Sequence, residues 1–215
     1  MPAMLIAQET ATPTATGSLY PGYHRHDGFY LSMNIGPALG GTILDMKNEP
    51  DGIDQVIFRG PGAVIDLKIG GAIQENLILS FDIIGRTIRG PEEEFNTSSG
   101  SFTVDASDDL TMADNSYGIG LTKYFMPENI FVSGTLSSAR MVQTINGHNG
   151  STSEWGYAAH LKVGKEWWVG KNWGLGVSGG YGFAMADDKK DPNTPDYSGT
   201  LTSHQFYVLL NTTFN

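Results

Sequence analysis

Read two residues at a time, the chain separates into two faces over most of its length. From Gly28 onward, apolar residues alternate with small or polar ones in eight stretches, at 28–41, 58–71, 77–89, 114–125, 130–142, 154–166, 173–186 and 201–214. A strand between two different surroundings requires this period of two, because successive side chains leave opposite sides of the ribbon. Each stretch is at least as long as the roughly 9 to 11 residues of a tilted membrane-spanning strand. In the second, Ala63, Ile65, Leu67 and Ile69 oppose Gly62, Val64, Asp66, Lys68 and Gly70. In the last, Phe206, Val208, Leu210, Thr212 and Phe214 oppose Gln205, Tyr207, Leu209, Asn211 and Thr213.

Which face points inward follows from the size of the residues on the polar side. Runs such as Gly118 and Gly120, or Gly174, Gly176, Ser178, Gly180 and Gly182, relieve crowding inside a narrow barrel and do little on a solvated exterior. The bulky face then looks outward, and a continuous outward band of Ile, Leu, Val and Phe is stable only against lipid. Connection lengths support the same reading, since they alternate between short (72–76, 126–129, 167–172) and long (42–57, 90–113, 143–153, 187–200). All four long connections therefore fall at one end of an up-and-down meander. In outer-membrane barrels that end is extracellular and both termini are periplasmic. Aromatic residues mark the two ends of the band. Phe29, Tyr124, Phe125, Phe131, Trp167, Trp168, Trp173 and Phe214 lie near the short turns, and Phe58, Tyr117, Trp155, Tyr157 and Phe183 toward the long loops. The predicted fold is all-β, an eight-stranded antiparallel up-and-down transmembrane barrel over 28–215.

Composition narrows the function classes. A formal charge of -10 from 13 basic and 23 acidic residues argues against nucleic-acid binding, which needs clustered Lys and Arg. Sixteen of those acids lie within or beside the four long connections. The chain has no Cys, which excludes disulfides, thiol catalysis and thiolate metal sites. No apolar run approaches the roughly 20 residues of a membrane helix. Residues 1–27, rich in Thr, Pro and Ala, read as an extended periplasmic tail, and the short apolar stretch at 1–7 as the remnant of an export signal.

The segment Lys123-Tyr-Phe-Met-Pro-Glu-Asn-Ile-Phe-Val-Ser-Gly-Thr-Leu136, the opening His26-Asp-Gly-Phe-Tyr-Leu31 and a closing strand ending at Phe214 resemble small bacterial outer-membrane β-barrels of the OmpA, OmpX and OmpW type. Members commonly finish on an aromatic residue, whereas this chain adds Asn215. The resemblance implies outer-membrane lipid and lipopolysaccharide as surroundings. Another envelope protein is expected to meet the loops or the N-terminal tail. Pro37, inside the first stretch, predicts a bulge or strand end, because proline cannot donate to a ladder.

An interior that side chains just fill brings together Asp66, Lys68, Asp82, Arg86, His160 and Lys162. The mixed signs predict a salt-bridged plug, with a gated narrow ion path as the alternative. Gly90 to Asn115 holds seven acids and no base. Within it, Glu92, Glu93, Glu94, Asp105, Asp108 and Asp109 are candidate ligands for Ca2+ or Mg2+, and no other cofactor is expected. Three further matches carry little. Gly174-Leu-Gly176-Val-Ser-Gly179 fits a dinucleotide fingerprint without the strand-to-helix context. His24 and His26 lack a third metal ligand. Ser203 and His204, adjacent in a strand, point to opposite faces. The expected role is structural or surface-interacting through the acidic loops, without catalytic residues. The alternatives are a narrow passage for small apolar or ionic solutes and a lipid-modifying enzyme.

Overall fold

The computed structural model describes residues 25–48, 52–105, 110–189 and 196–215. These form eleven strands: β1 (Phe29–Lys47), β2 (Ile53–Gln74), β3 (Leu77–Arg89), β4 (Glu92–Thr97), β5 (Gly100–Asp105), β6 (Leu110–Phe125), β7 (Ile130–Ile145), β8 (His148–Thr152), β9 (Gly156–Trp168), β10 (Trp173–Asp187) and β11 (Ser198–Phe214). Eight of them, β1, β2, β3, β6, β7, β9, β10 and β11, pair antiparallel in chain order, and β1 pairs with β11 from Leu31↔Phe214 to Lys47↔Ser198, which closes the barrel. The short strands lie beyond the wall: β4 continues the sheet from β2, β5 pairs with β4, and β8 folds back on β7.

Register fixes the tilt. The row Phe29, Gly71, Leu79, Leu121, Gly134, Leu161, Tyr181, Phe206 passes once round the wall and returns to β1 at Leu39, ten residues beyond its start. A closed sheet needs such a stagger, and at this strand number it leaves an interior that side chains can fill.

The alternation resolves as the sequence predicts. Ile35, Leu39, Ile65, Leu136, Leu161, Phe206 and Leu210 are exposed on the outer wall, while Asn34, Asp66, Lys68, Ser80, Asp82, Thr135 and Lys162 are buried inside. This is the inverse of a water-soluble barrel, and it makes the wall a transmembrane surface.

Four details differ from the sequence reading. The connection expected at 42–57 shrinks to residues 48–52, because β1 and β2 stay paired up to Asp45↔Gln55. Much of 90–113 becomes the β4–β5 hairpin, and 143–153 becomes a hairpin turned at Asn146–Gly147, both with positive φ (52° and 76°). Two consecutive left-handed residues form the tight turn whose twist suits antiparallel strands. Pro37 causes neither bulge nor strand end. It faces Ala63 within an unshifted β1–β2 register, and on the β11 side pairing lapses between Ile35↔Leu210 and Ala38↔Tyr207 and then resumes in the same register. A gap in one ladder absorbs the missing N–H.

Leu136, 74% exposed at mid-wall, tests the lipid-facing assignment. Leu136→Arg is expected to destabilise the barrel by about 2–4 kcal/mol, read by denaturant titration in lipid vesicles. Leu136→Ala should cost less, having no charge to place in hydrocarbon.

Candidate functional site: the charged lumen and the upper rim

Inward positions at mid-height bring charge together from opposite walls. Asp66 and Lys68 on β2 meet Asp82 on β3 and Lys162 on β9: the Lys162 ammonium lies 2.6 Å from Asp66, and Lys68 is ion-paired with Asp82 and 4.0 Å from Asp66. Thr135 donates to Asp82 from β7, and the Ser80 hydroxyl donates at 2.6 Å. A Cβ on Gly120, which faces Ser80 in the register, would collide with the Asp82 carboxylate, so glycine at that position makes room for it. One layer higher, Arg86 pairs with Asp114 at 2.9 Å and donates to Thr42 at 2.9 Å, while Ser203 donates to Asp114 at 2.6 Å. His160 shares the inner face of β9 with Lys162, and its Nε2 lies 3.3 Å from the Ser116 hydroxyl. Three buried carboxylates thus face three buried cations. Asp114, counted among the loop acids in the sequence reading, belongs to this layer because its even position on β6 faces inward.

Below the ions lies a second plug that the alternation did not reveal. His26 is fully buried under the lower mouth. Its ring nitrogens hydrogen-bond the side-chain amides of Asn215 (2.8 Å) and Asn129 (2.9 Å), and its backbone N–H donates to Asn76 Oδ1 at 3.1 Å. The imidazole stacks on Tyr124 at 3.6 Å between ring centroids. Tyr124 and Thr213 donate to Glu166 Oε1 at 3.3 and 2.8 Å. Asn76 and Asn129 hold turn positions with positive φ (61° and 54°), a conformation asparagine tolerates. The end of the extended tail meets the barrel mouth: Arg25 bridges Glu75 at 2.9 Å, and the carbonyl of Gly28, the first barrel residue, accepts from Ala72. His24 and residues 1–23 lie outside the described residues.

Above the ions the lumen turns apolar. Leu44, Phe58, Met112, Met141 and Leu201 line a cup of about 260 Å³ that also meets Gln143, Ser151, Ser153 and Asp188 near the upper rim. Arg86 and Asp114 lie one layer below it.

Beyond the rim, β4 carries Glu92, Glu93 and Glu94 on alternating faces, so the strand divides these carboxylates instead of clustering them. Glu94 bridges Arg59 at 2.8 Å, Asp105 pairs in register with Glu92, and partial burial lifts the Glu93 carboxyl above its ordinary pKa. Asp108 and Asp109 lie outside the described residues. Among the described residues no three His, Asp or Glu side chains are grouped to hold a metal. β5 pairs with β4 alone among the described residues. All six of its residues are exposed, including Phe102, which stacks on Phe95, and Val104.

The aromatic assignments divide by parity. Phe29, Phe125, Trp167, Trp173 and Phe214 ring the lower wall, with Trp173 5.2 Å and Phe29 6.4 Å from Phe214. At the upper edge Trp155 lies beside Tyr117, and Tyr157 beside Phe183. Trp168 departs from this ring: it has the inward parity of Glu166, and its ring lies 5.0 Å from His26. Tyr124, Phe131 and Phe58 are likewise buried inside. Ser203 faces the lumen and His204 the outer wall, so the two cannot act on one substrate. Gly174–Gly179 runs within β10.

No family model matches the chain, and no curated protein matches it. Among solved structures, Neisserial surface protein A superposes with a TM-score of 0.51 at 12% identity, over 86% of this chain and 96% of that one. The outer membrane protein OprG from Pseudomonas aeruginosa gives 0.47 at 9% identity over 88% and 98%, and the outer membrane protease OmpT from Escherichia coli 0.47 at 13% over 88% and 97%. With the closed eight-stranded wall, the first likeness identifies the fold as that of the small outer-membrane barrels.

The ion layer has a definite energetic signature. Asp82→Asn leaves Lys68 buried without its counter-charge and is expected to cost about 3–5 kcal/mol, whereas Asp82→Leu with Lys68→Met should be close to neutral. Unfolding titrations of refolded protein measure both.

Proposed function

We propose that the chain is a non-conducting outer-membrane barrel, with its N-terminus periplasmic and no chemistry of its own, that engages an extended partner segment at its extracellular rim. The observation that carries this reading is the open edge of β5. A strand with one unpaired edge presents a row of amide donors and acceptors, and extended peptides add to such edges by backbone pairing. Natural edges are ordinarily blunted by Lys, Pro or a bulge. Gly100-Ser-Phe-Thr-Val-Asp105 has neither Lys nor Pro, and its β4 pairing runs without a register shift. Phe102 and Val104 offer apolar contact, and Glu92, Glu93 and Asp105 favour a partner strand in which cationic and aliphatic residues alternate.

The asymmetry of the ends supports this orientation. Turns of two to four residues close the lower end, whereas the hairpins β4–β5 and β7–β8 both rise from the other. The charged layer and the His26 plug support a lumen without a water path.

A second reading has its own observation. The apolar cup above Arg86 suits a small apolar solute entering from outside, held over a charged floor.

Planar-bilayer recording is expected to show no unitary conductance for the intact barrel, and steady single-channel steps would overturn the sealed lumen. For the rim, a synthetic Lys-Val-Lys-Val-Lys-Val peptide should bind detergent-folded protein in fluorescence anisotropy. Counting from the hairpin's closing pair, Thr103 directs its amide to the open edge, so Thr103→Pro should weaken binding about tenfold while heat-modifiable gel migration is retained. Equal binding by the backbone N-methylated peptide would sink strand addition.

A further inference from the structure

A notch in the outer wall lies where the apolar band gives way to the rim. One register row runs Arg59 (β2), Gly41 (β1), His204 (β11), all outward-facing, so a guanidinium and an imidazole flank a position with no side chain. Glycine is required there: a Cβ on Gly41 would meet the Phe58 carbonyl oxygen at 2.5 Å and the Arg59 stem at 3.3 Å. The gap is a groove of about 280 Å³, walled above by Ile43 and Ile57 and below by Phe206. His204 is held by the Tyr181 hydroxyl on Nδ1, which directs Nε2 away from that contact. Two donors about two strand spacings apart, roughly 10 Å between Cα atoms, stand over an aliphatic and aromatic wall.

From this geometry we infer that the Arg59–Gly41–His204 notch binds the phosphate of an outer-leaflet glycolipid, with Ile43, Ile57 and Phe206 receiving the head of its acyl chain. The groove opens sideways from the wall at the upper edge of the apolar band, so lipid is what meets it. A guanidinium and an imidazole N–H are donors matched to phosphate oxygens. Arg89 on the neighbouring β3 also faces outward past that strand's last exposed aliphatic, and on the far wall Arg140 of β7 faces outward 5.5 Å above the Trp155 ring. Arg59, with a side chain 56% exposed, is engaged by Glu94 at 2.8 Å. An exposed ion pair of this kind is weak, and a phosphate dianion displaces it. Glu94 therefore competes with the lipid for Arg59.

The inference rests on the outer-membrane placement proposed above, and heat-modifiable migration of each variant reports that placement's barrel independently of lipid binding. Native mass spectrometry of the folded protein in detergent, titrated with diphosphorylated lipid A, tests the site. Diphosphorylated lipid A should bind about tenfold tighter than the same lipid without phosphates. Arg59→Gln should remove most of that difference, and Glu94→Gln should strengthen binding several-fold, an opposite sign that general loosening of the wall cannot produce. Inorganic phosphate at millimolar concentration should not displace the lipid. Equal affinity for the two lipids, an unchanged Arg59→Gln variant, or displacement by free phosphate would each overturn the assignment.

Discussion

The structure depends on one constraint: a closed wall of eight strands is bounded outside by hydrocarbon and inside by a space too narrow for bulk water. Neither side solvates a polar group, so every charge that enters must be answered by another side chain. Asp66, Asp82 and Asp114 are answered by Lys162, Lys68 and Arg86, and the hydroxyls of Thr42, Ser80, Thr135 and Ser203 add hydrogen bonds to Arg86, Asp82 and Asp114. Because these partners come from β1, β2, β3, β6, β7, β9 and β11, the network forms only when the wall has closed in the correct register. Buried ion pairs are poor sources of net stability. Their effect here is to penalise a slipped strand, which would turn its charges into lipid.

The same constraint explains how much of the fold was legible in the sequence. Alternation is an immediate consequence of two unlike surroundings, so all eight strands and the inward placement of Asp66, Lys68, Asp82, Arg86, His160 and Lys162 could be read from parity. Strand ends were less legible. Above the band, β1 and β2 continue with residues such as Leu44, Val56 and Phe58 inside and Asp45 and Gln55 outside, a contrast reversed from that of the membrane band, so the eye for greasy outward faces ends the strand early. Asn146–Gly147 carries a hairpin signal in the two residues that best tolerate left-handed conformation, but the reading of 143–153 as one long connection passed over it.

What parity could not show is the lower plug. His26, Asn76, Asn129 and Asn215 come from the segment before the barrel, two turns and the last residue of the described chain, none of which belongs to an alternating run. They meet because shear brings distant strand ends round to one side of the mouth. Trp168 was misplaced for a related reason: a Trp-Trp pair near a turn suggests an interfacial belt, yet adjacent residues must face opposite ways, and Trp168 takes the lumen side against His26. Asn215, which departs from the aromatic ending common in such barrels, has its own partner in the His26 ring.

The two ends are therefore built to different rules. At the lower end, short turns and side-chain amides tie the chain down, and exposed backbone edges are few. At the upper end the strands outrun the hydrocarbon, and once water is available on both faces the sheet no longer needs closure. β4 and β5 splay from β2, and the edge that the barrel eliminates within the membrane reappears outside it. An edge costs little there, since water satisfies its amides, and a partner strand can replace that water with directed bonds. The border between the regimes is drawn by Arg59, Arg89 and Arg140, whose long apolar stems reach along the wall while their charged ends meet the headgroup layer. On the proposed reading, recognition takes place at and above that border, and the charged lumen below holds the border at a fixed height.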